Sequence, residues 1–367
     1  MNLQDFDYHL PRRLIAQHPL DKRDHSRLMV LSRRTGAIEH RIFTDLPEYL
    51  EPGDVLAINE TKVLPVRLIG KKQSGGKVEL ILVRKIGRDE EGERFHEVLN
   101  RDPGENEEHA SEWECLVKNS GRLREHTLLI ISDNLQGEFR KRVPSGLWRV
   151  RLKSEGNLEK KLREIGFPPL PPYIRRNGDR KMRDQDLQRY QTVYAREEGA
   201  IAAPTAGLHF TESLLDEIRG KGVSIFPLIL HVGVGTFLPV KQKEVEKHRL
   251  EPEFFNIPPK TAQAVNQARA SGKRVVAVGT TVTRALESGV DAGGKIRAKR
   301  GETSLFVIPG FTFRAVDGLI TNFHLPRSTL MMLVSALGGK EFIMAAYQEA
   351  VKKNYRFYSY GDAMLII

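Results

Sequence analysis

The stretch Gly199-Ala200-Ile201-Ala202-Ala203-Pro204-Thr205-Ala206-Gly207-Leu208-His209-Phe210-Thr211 reads as the junction between a buried strand and a helix. An apolar run, Ala200 to Ala203, stops at Pro204, and a turn of small residues carries Thr205, Gly207 and His209. Thr211 stands at an N-cap position ahead of Glu212-Ser213-Leu214-Leu215-Asp216-Glu217-Ile218. The free N–H groups of a first helical turn can hold an anion there. Taken alone, this is an ordinary strand-to-helix connection. Two further junctions share its chemistry. One is Val278-Gly279-Thr280-Thr281-Val282-Thr283-Arg284; the other is Thr321-Asn322-Phe323-His324-Leu325-Pro326-Arg327-Ser328-Thr329, where Pro326 and Ser328 suit a helix start. Three polar junctions of one kind predict a ligand site beyond the carboxyl ends of strands in an open α/β sheet.

Outward from these junctions, strands and helices alternate from about residue 155 to the end. Helices are expected over 158–165, 212–220, 260–271, 281–287, 327–337 and 340–353, and strands over 200–203, 223–230, 275–278 and 319–321. This predicts a mostly parallel sheet with helices on both faces. Upstream, residues 54–69 read as strand, polar turn, strand. Short strands then follow over 77–83, 113–118, 127–131, 137–143 and 147–152, punctuated by Gly75-Gly76, Ser120-Gly121 and Ser145-Gly146. That texture predicts a small antiparallel barrel or sandwich. A length of 367 residues exceeds one ordinary domain. The expected fold class is therefore α/β, with residues 1–65 and 155–367 forming an α/β catalytic domain and 66–154 an inserted small antiparallel β-barrel.

The formal net charge is +11, unevenly placed. Residues 88–114 hold 11 acidic residues against three arginines, leaving +19 on the other 340. The tract 88–111 reads as an acidic, solvated excursion from the barrel. A basic surplus of that size fits a polyanionic partner such as nucleic acid, or a generically basic protein. No apolar run approaches the ~18 residues of a membrane span. The N-terminus has no signal-peptide pattern, and the chain is expected to be cytoplasmic and monomeric. The single cysteine, Cys115, lies in an alternating segment and reads as core filler.

Four of the eleven histidines (His209, His231, His248 and His324) lie in or beside the polar turns, as candidates for proton transfer or ligand contact. The segment His248-Arg249-Leu250-Glu251-Pro252-Glu253-Phe254 puts an imidazole and two carboxylates within reach of one another, for acid–base work or for holding a cation. His231-Val232-Gly233-Val234-Gly235 is a weak dinucleotide signal, lacking a third glycine and a helix. Metal-binding histidine spacings, a P-loop and a G-x-S-x-G elbow are all missing, so no metal is expected. Tyr173, Arg175, Arg176, Lys181 and Arg183 form a basic cluster with an aromatic, suited to phosphates and an unstacked base.

The chain resembles the S-adenosylmethionine:tRNA ribosyltransferase-isomerases of queuosine biosynthesis. The matching segments include Ser26–Leu31, Asn59–Leu68, Leu170–Ile174, Tyr190–Ala195, Gly199–Thr211, His231–Phe237, Val278–Arg284, Asn322–Thr329 and Tyr355–Met364. It departs at Glu60 and Lys62, where the family usually has Asp and Arg, and at Glu251, where a histidine is common. The resemblance implies that the ribosyl group of S-adenosylmethionine moves to the 7-aminomethyl group of a 7-deazaguanine at the tRNA wobble position. Adenine and methionine leave, and the sugar rearranges to an epoxycyclopentanediol. It further implies His209 and His324 as acid–base candidates, with Glu253 and His248 near the reacting centre. Arg27, Asn59, Thr205, Gly207, Gly279, Thr280, Thr281, Arg284, Arg327 and Ser328 are the expected cofactor-binding residues.

Overall fold

The computed structural model describes residues 1–86, 92–94, 110–118, 123–176, 180–233, 235, 242 and 244–367. Most of the acidic tract 88–111 and part of the turn 231–237 lie outside these residues.

The first strands are β1 (Arg27–Leu31), β2 (Ile38–Ile42), β3 (Val55–Asn59) and β4 (Thr61–Val63). Next come β5 (Arg67–Lys72), β6 (Lys77–Ile86), β7 (Gly92–Arg94), β8 (Ala110–Lys118), β9 (Leu128–Ser132), β10 (Leu135–Arg142) and β11 (Trp148–Ser154). The remainder are β12 (Glu197–Ala200), β13 (Ser224–Leu230), β14 (Glu253–Ile257), β15 (Val275–Val278), β16 (Lys299–Thr303), β17 (Gly318–Asn322) and β18 (Ala363–Ile366). The helices are α1 (Leu158–Ile165), α2 (Arg180–Arg189), α3 (Glu212–Gly220), α4 (Pro259–Ala270), α5 (Thr280–Ser288), α6 (Thr329–Gly338) and α7 (Lys340–Lys352).

Nine strands form one sheet in the order β16-β14-β13-β3-β15-β17-β18-β1-β2. The central strands β13, β3, β15 and β17 run parallel. Their flanks are antiparallel, apart from the parallel pair β18–β1. The sheet is thus mixed, and its run of four parallel strands is the centre that carries the polar junctions. Successive residues point to opposite faces. Leu56, Ile58, Val276, Val278 and Ile320 pack against Leu214, Leu215 and Ile218 of α3. Val55, Ala57, Val275, Ala277 and Leu319 pack against α4 to α7 on the other face. Burial on both faces explains why these strands are apolar throughout rather than alternating.

The chain leaves this sheet after β3 and rejoins it at β13, with β4 and β12 paired to each other outside it. Between β4 and β12, β5-β9-β10-β11-β8-β6 closes on itself through the β5–β6 pairing, and β7 extends β6 as a hairpin. Val78, Leu80 and Leu82 point inward at period two, with Trp113, Phe139, Val150 and the fully buried Cys115. Leu158 and Leu162 of α1 join the same core.

The expectation of a sheet strand over 200–203 is corrected. Strand β12 ends at Ala200 and pairs only with β4, outside the large sheet. Ile201 donates its N–H to Val232 O at 3.0 Å, and Pro204, which has no N–H, begins a 3-10 turn over Thr205–His209. Thr211 then caps α3, accepting the Leu214 N–H at 3.3 Å.

Candidate active site

A cavity of about 530 Å3 lies at the carboxyl ends of β13, β15 and β17, within the ~300–1,000 Å3 range of small-molecule sites. Its lining includes Thr205, His248, Glu253, Gly279, Thr280, Thr281, Arg284, His324, Arg327, Ser328 and Tyr173, from five separate stretches of sequence. Ala202, Ala203, Phe306 and Leu333 supply an apolar wall.

Two helix N-termini open into the cavity. Helix α5 follows Gly279, whose φ of +95° is a conformation that L side chains rarely adopt. Helix α6 is capped by Ser328, whose Oγ accepts the Met331 N–H at 3.2 Å and donates to Leu325 O at 2.8 Å. The Ser328 hydroxyl is therefore committed to the helix, and residues of both first turns line the cavity, at helix ends where an anion is favoured. Two non-glycine residues on the wall, Arg327 (φ +58°) and Tyr358 (φ +74°), have left-handed backbones. Each is pinned through its own N–H, Arg327 to Phe6 O at 3.0 Å and Tyr358 to Phe323 O at 3.1 Å. Strain of this sort persists only where surrounding structure over-determines it.

Glu253, at the start of β14, forms a buried ion pair with Arg284 of α5. Its other oxygen accepts the Gly233 N–H at 2.9 Å. Arg284 Nε donates to Leu305 O at 2.9 Å, so the guanidinium is held on both sides. His248 lies edge-on to Phe306, with ring centroids 5.3 Å apart, and burial lowers its pKa. His324 is buried; its Nε2 lies 2.8 Å from Thr321 Oγ1, its N–H reaches the Tyr347 hydroxyl, and its carbonyl accepts from Tyr8. Its Nδ1 has no partner among the described residues. Burial pushes the imidazole pKa down to about 3, so His324 is neutral and, in the empty cavity, holds a proton only weakly.

His209 does not line the cavity. It is buried behind it, with Nδ1 at 2.7 Å from Ser26 Oγ and Nε2 at 3.0 Å from Asn322 Nδ2. The Asn322 carbonyl oxygen accepts from Thr205 Oγ1 at 2.8 Å. The amide therefore donates to Nε2, which places the histidine proton on Nδ1. His209 reaches the cavity through Asn322 and Thr205, and is a positioning residue. Asn322, the polar end of the buried strand β17, was not singled out as a site residue from sequence. Neither was Tyr358.

Three other expected cofactor residues also lie outside the lining. Asn59 staples β3 to β13, exchanging bonds with the backbone of Leu230 at 2.9 and 3.1 Å, and reaches the cavity only through Thr281 Oγ1 at 3.3 Å. Arg27 lies over the Tyr355 ring at 3.6 Å and donates to Lys353 O. Gly207 sits in the 3-10 turn, where a Cβ would fall 2.1 Å from the Tyr194 hydroxyl and 2.7 Å from Thr192 Cγ2. This glycine provides close packing rather than flexibility. Gly207→Ala is expected to destabilise the protein by about 1–3 kcal/mol. The Tyr194 hydroxyl is buried without a partner, so Tyr194→Phe should be tolerated and should rescue part of that loss in the double variant, read by denaturant midpoints.

The basic cluster is divided. Tyr173 packs on Tyr358 at 4.1 Å and its hydroxyl meets Ser359, so it is a wall of the cavity rather than an exposed platform. Arg176 makes a two-pronged pair with Asp186 at 2.7 and 3.0 Å. Arg183 donates to the carbonyls of Arg163, Glu164 and Gly166, satisfying the end of α1. Arg175 and Lys181 are exposed.

The two neutral histidines set a pH dependence. His209 and His324 have folded pKa values of about 3, both lowered chiefly by burial, against an ordinary 6.5. Below pH 6.5 the unfolded chain binds protons that the folded chain does not, so stability rises with pH there. Their contribution is complete above about pH 6.5 and is lost as pH falls toward about 3. Unfolding free energies measured from about pH 7.5 to about pH 5 should fall, and His209→Gln should make that fall shallower.

A cavity of this size at the carboxyl edge of parallel strands, lined by a neutral buried imidazole and a desolvated ion pair, defines an enzyme of the α/β class. The queuosine biosynthesis protein family matches residues 3–366. The S-adenosylmethionine:tRNA ribosyltransferase-isomerase of Syntrophotalea carbinolica is 49% identical over 100% of both chains, and that of Desulfitobacterium hafniense is 46% identical over 100% of both. The crystal structure of S-adenosylmethionine tRNA ribosyltransferase from Thermotoga maritima aligns with a TM-score of 0.52 at 35% identity, covering 99% of this chain and 100% of that one. The chain belongs to the queuosine biosynthesis protein family.

Proposed function

We propose that this protein transfers and isomerises the ribosyl moiety of S-adenosylmethionine onto the 7-aminomethyl group of a 7-deazaguanine at the wobble position of tRNA, releasing adenine and methionine. The observation that carries the reading is the convergence of two helix N-termini and a buried Glu253–Arg284 pair on one cavity. The N-termini at Gly279–Thr281 and Arg327–Ser328 suit the methionine carboxylate. Among the described residues, Glu253 offers the one buried carboxylate at the wall for the sulfonium side, while Ala202, Ala203, Phe306 and Leu333 suit the apolar faces of the adenosyl group.

The sulfonium acidifies the adjacent 5′ C–H, and a neutral imidazole is the right kind of group to take that proton. His324, with its free Nδ1, fills this role; His209 orients Asn322 and Thr205 behind it. His248, which also lines the cavity, is available for a second proton transfer. Residues 1–65 and 155–367 make up the catalytic unit in this reading, and 66–154 the insertion. Incubation with S-adenosylmethionine and precursor tRNA should release free adenine in step with tRNA consumption. An RNA-binding adaptor would bind tRNA and release none.

A further inference from the structure

Beside the cavity, and sharing Ser359 with it, lies a shallow recess walled by Arg23, Arg189 and Arg356 above the buried His209. Its enclosed volume is about 20 Å3, room for one water molecule or one oxygen of a larger group. The three guanidiniums reach only backbone carbonyls. Arg23 donates to Gln191 O at 3.0 Å and Leu208 O at 3.4 Å, Arg189 to Asp21 O at 3.1 Å and to Leu20 O, and Arg356 to His18 O. Among the described residues no carboxylate bonds to any of these guanidiniums. The nearby carboxylates are otherwise engaged: Asp362 accepts the N–H groups of Arg27 and Arg356, and Asp24 accepts the Thr211 hydroxyl.

Arg356 Nη1 is buried with no partner. Burial lowers the pKa values of Arg23 and Arg356, and the neighbouring Arg189 lowers that of Arg23 further, while the charges of Asp24 and Asp362 offset these effects only in part. Like charges gathered around an orphaned, buried N–H leave the recess electrostatically incomplete without an anion.

We propose that this recess holds a backbone phosphate of the RNA substrate, adjoining the nucleotide whose base enters the cavity. Guanidinium forks match phosphate oxygens in geometry and charge. The recess admits only one oxygen, so the rest of the group stays outside, as it must in a phosphodiester that continues along a strand. A strand crossing Ser359 passes directly from the recess to the cavity. The inference rests on the functional reading above only for the identity of the RNA.

The test uses the full chain, its Arg356→Met and Arg189→Met variants, and an unmodified anticodon stem–loop transcript bound at several salt concentrations. Each variant should lose about tenfold in affinity, and the slope of log K against log salt should shrink by about 1. Affinity for S-adenosylmethionine alone should not change. Unchanged RNA affinity and slope in a variant that melts like the parent overturns the proposal. So does inorganic phosphate that binds the parent but not Arg356→Met while RNA affinity is equal in both, since the site then takes free anion. Should Arg356→Met fail to fold, Arg189→Met, at the end of α2, carries the same comparison. A parent that binds the transcript in this way yet releases no adenine when given S-adenosylmethionine and precursor tRNA carrying the 7-aminomethyl group contradicts the functional reading and leaves the phosphate site standing.

Discussion

Replacing Glu253 by alanine is expected to lower the unfolding free energy by about 3–5 kcal/mol. The Glu253 and Arg284 side chains are 8% and 10% exposed, so the surviving guanidinium is solvated only from the cavity side. Its bonds to Leu305 O and Thr303 O satisfy donors but do not offset the charge. The Gly233 N–H loses its acceptor as well, an additional unsatisfied group. Removing both charges together behaves differently, because the desolvation penalty disappears with them. The double variant Glu253→Leu with Arg284→Met should therefore be more stable than Glu253→Ala alone. Urea midpoints at constant slope measure this directly, and a loss below about 1 kcal/mol in the single variant would show that the pair is solvated.

The second large effect is on turnover. His324→Gln keeps an amide near the position of Nε2, within reach of Thr321 Oγ1, but offers nothing that accepts a proton in place of Nδ1. A positioned base contributes about 10²–10⁴-fold, so kcat for adenine release should fall by at least about 10²-fold while the melting temperature stays near that of the parent. His324→Gln with near-parental kcat would remove His324 from the chemistry. His209→Gln should act more mildly, because His209 reaches the cavity only through Asn322 and Thr205.

The sequence showed the second and third junctions clearly because their chemistry is local. Gly279 occupies a positive-φ position that the residue type announces, and Ser328 caps the helix it precedes. The first junction misled, because the apolar run 200–203 has the composition of a buried strand but meets a proline and a 3-10 turn. Helix α2, Arg-Lys-Met-Arg-Asp-Gln-Asp-Leu-Gln-Arg, has no apolar stripe to announce it, and the edge strand β16, Lys-Arg-Gly-Glu-Thr, has no alternation. His209 looked like a wall of the cavity because its turn is polar. Its burial follows from packing against Phe43, at 5.0 Å, and Ser26, which are distant in sequence. The left-handed Tyr358 and the gathering of Arg23, Arg189 and Arg356 arise only once the chain has folded, and no local pattern encodes them.

The central claim is that the ribosyl group, not the methyl group, leaves S-adenosylmethionine for the tRNA. The most direct measurement follows two labels, one in the ribose carbons and one in the methyl group of the same cofactor, after incubation with precursor tRNA. The account predicts ribose label in the tRNA, methyl label in released methionine, and one free adenine for each tRNA modified. Methyl label in the tRNA, with adenine still attached to its ribose, would contradict it and mark the protein as a methyltransferase.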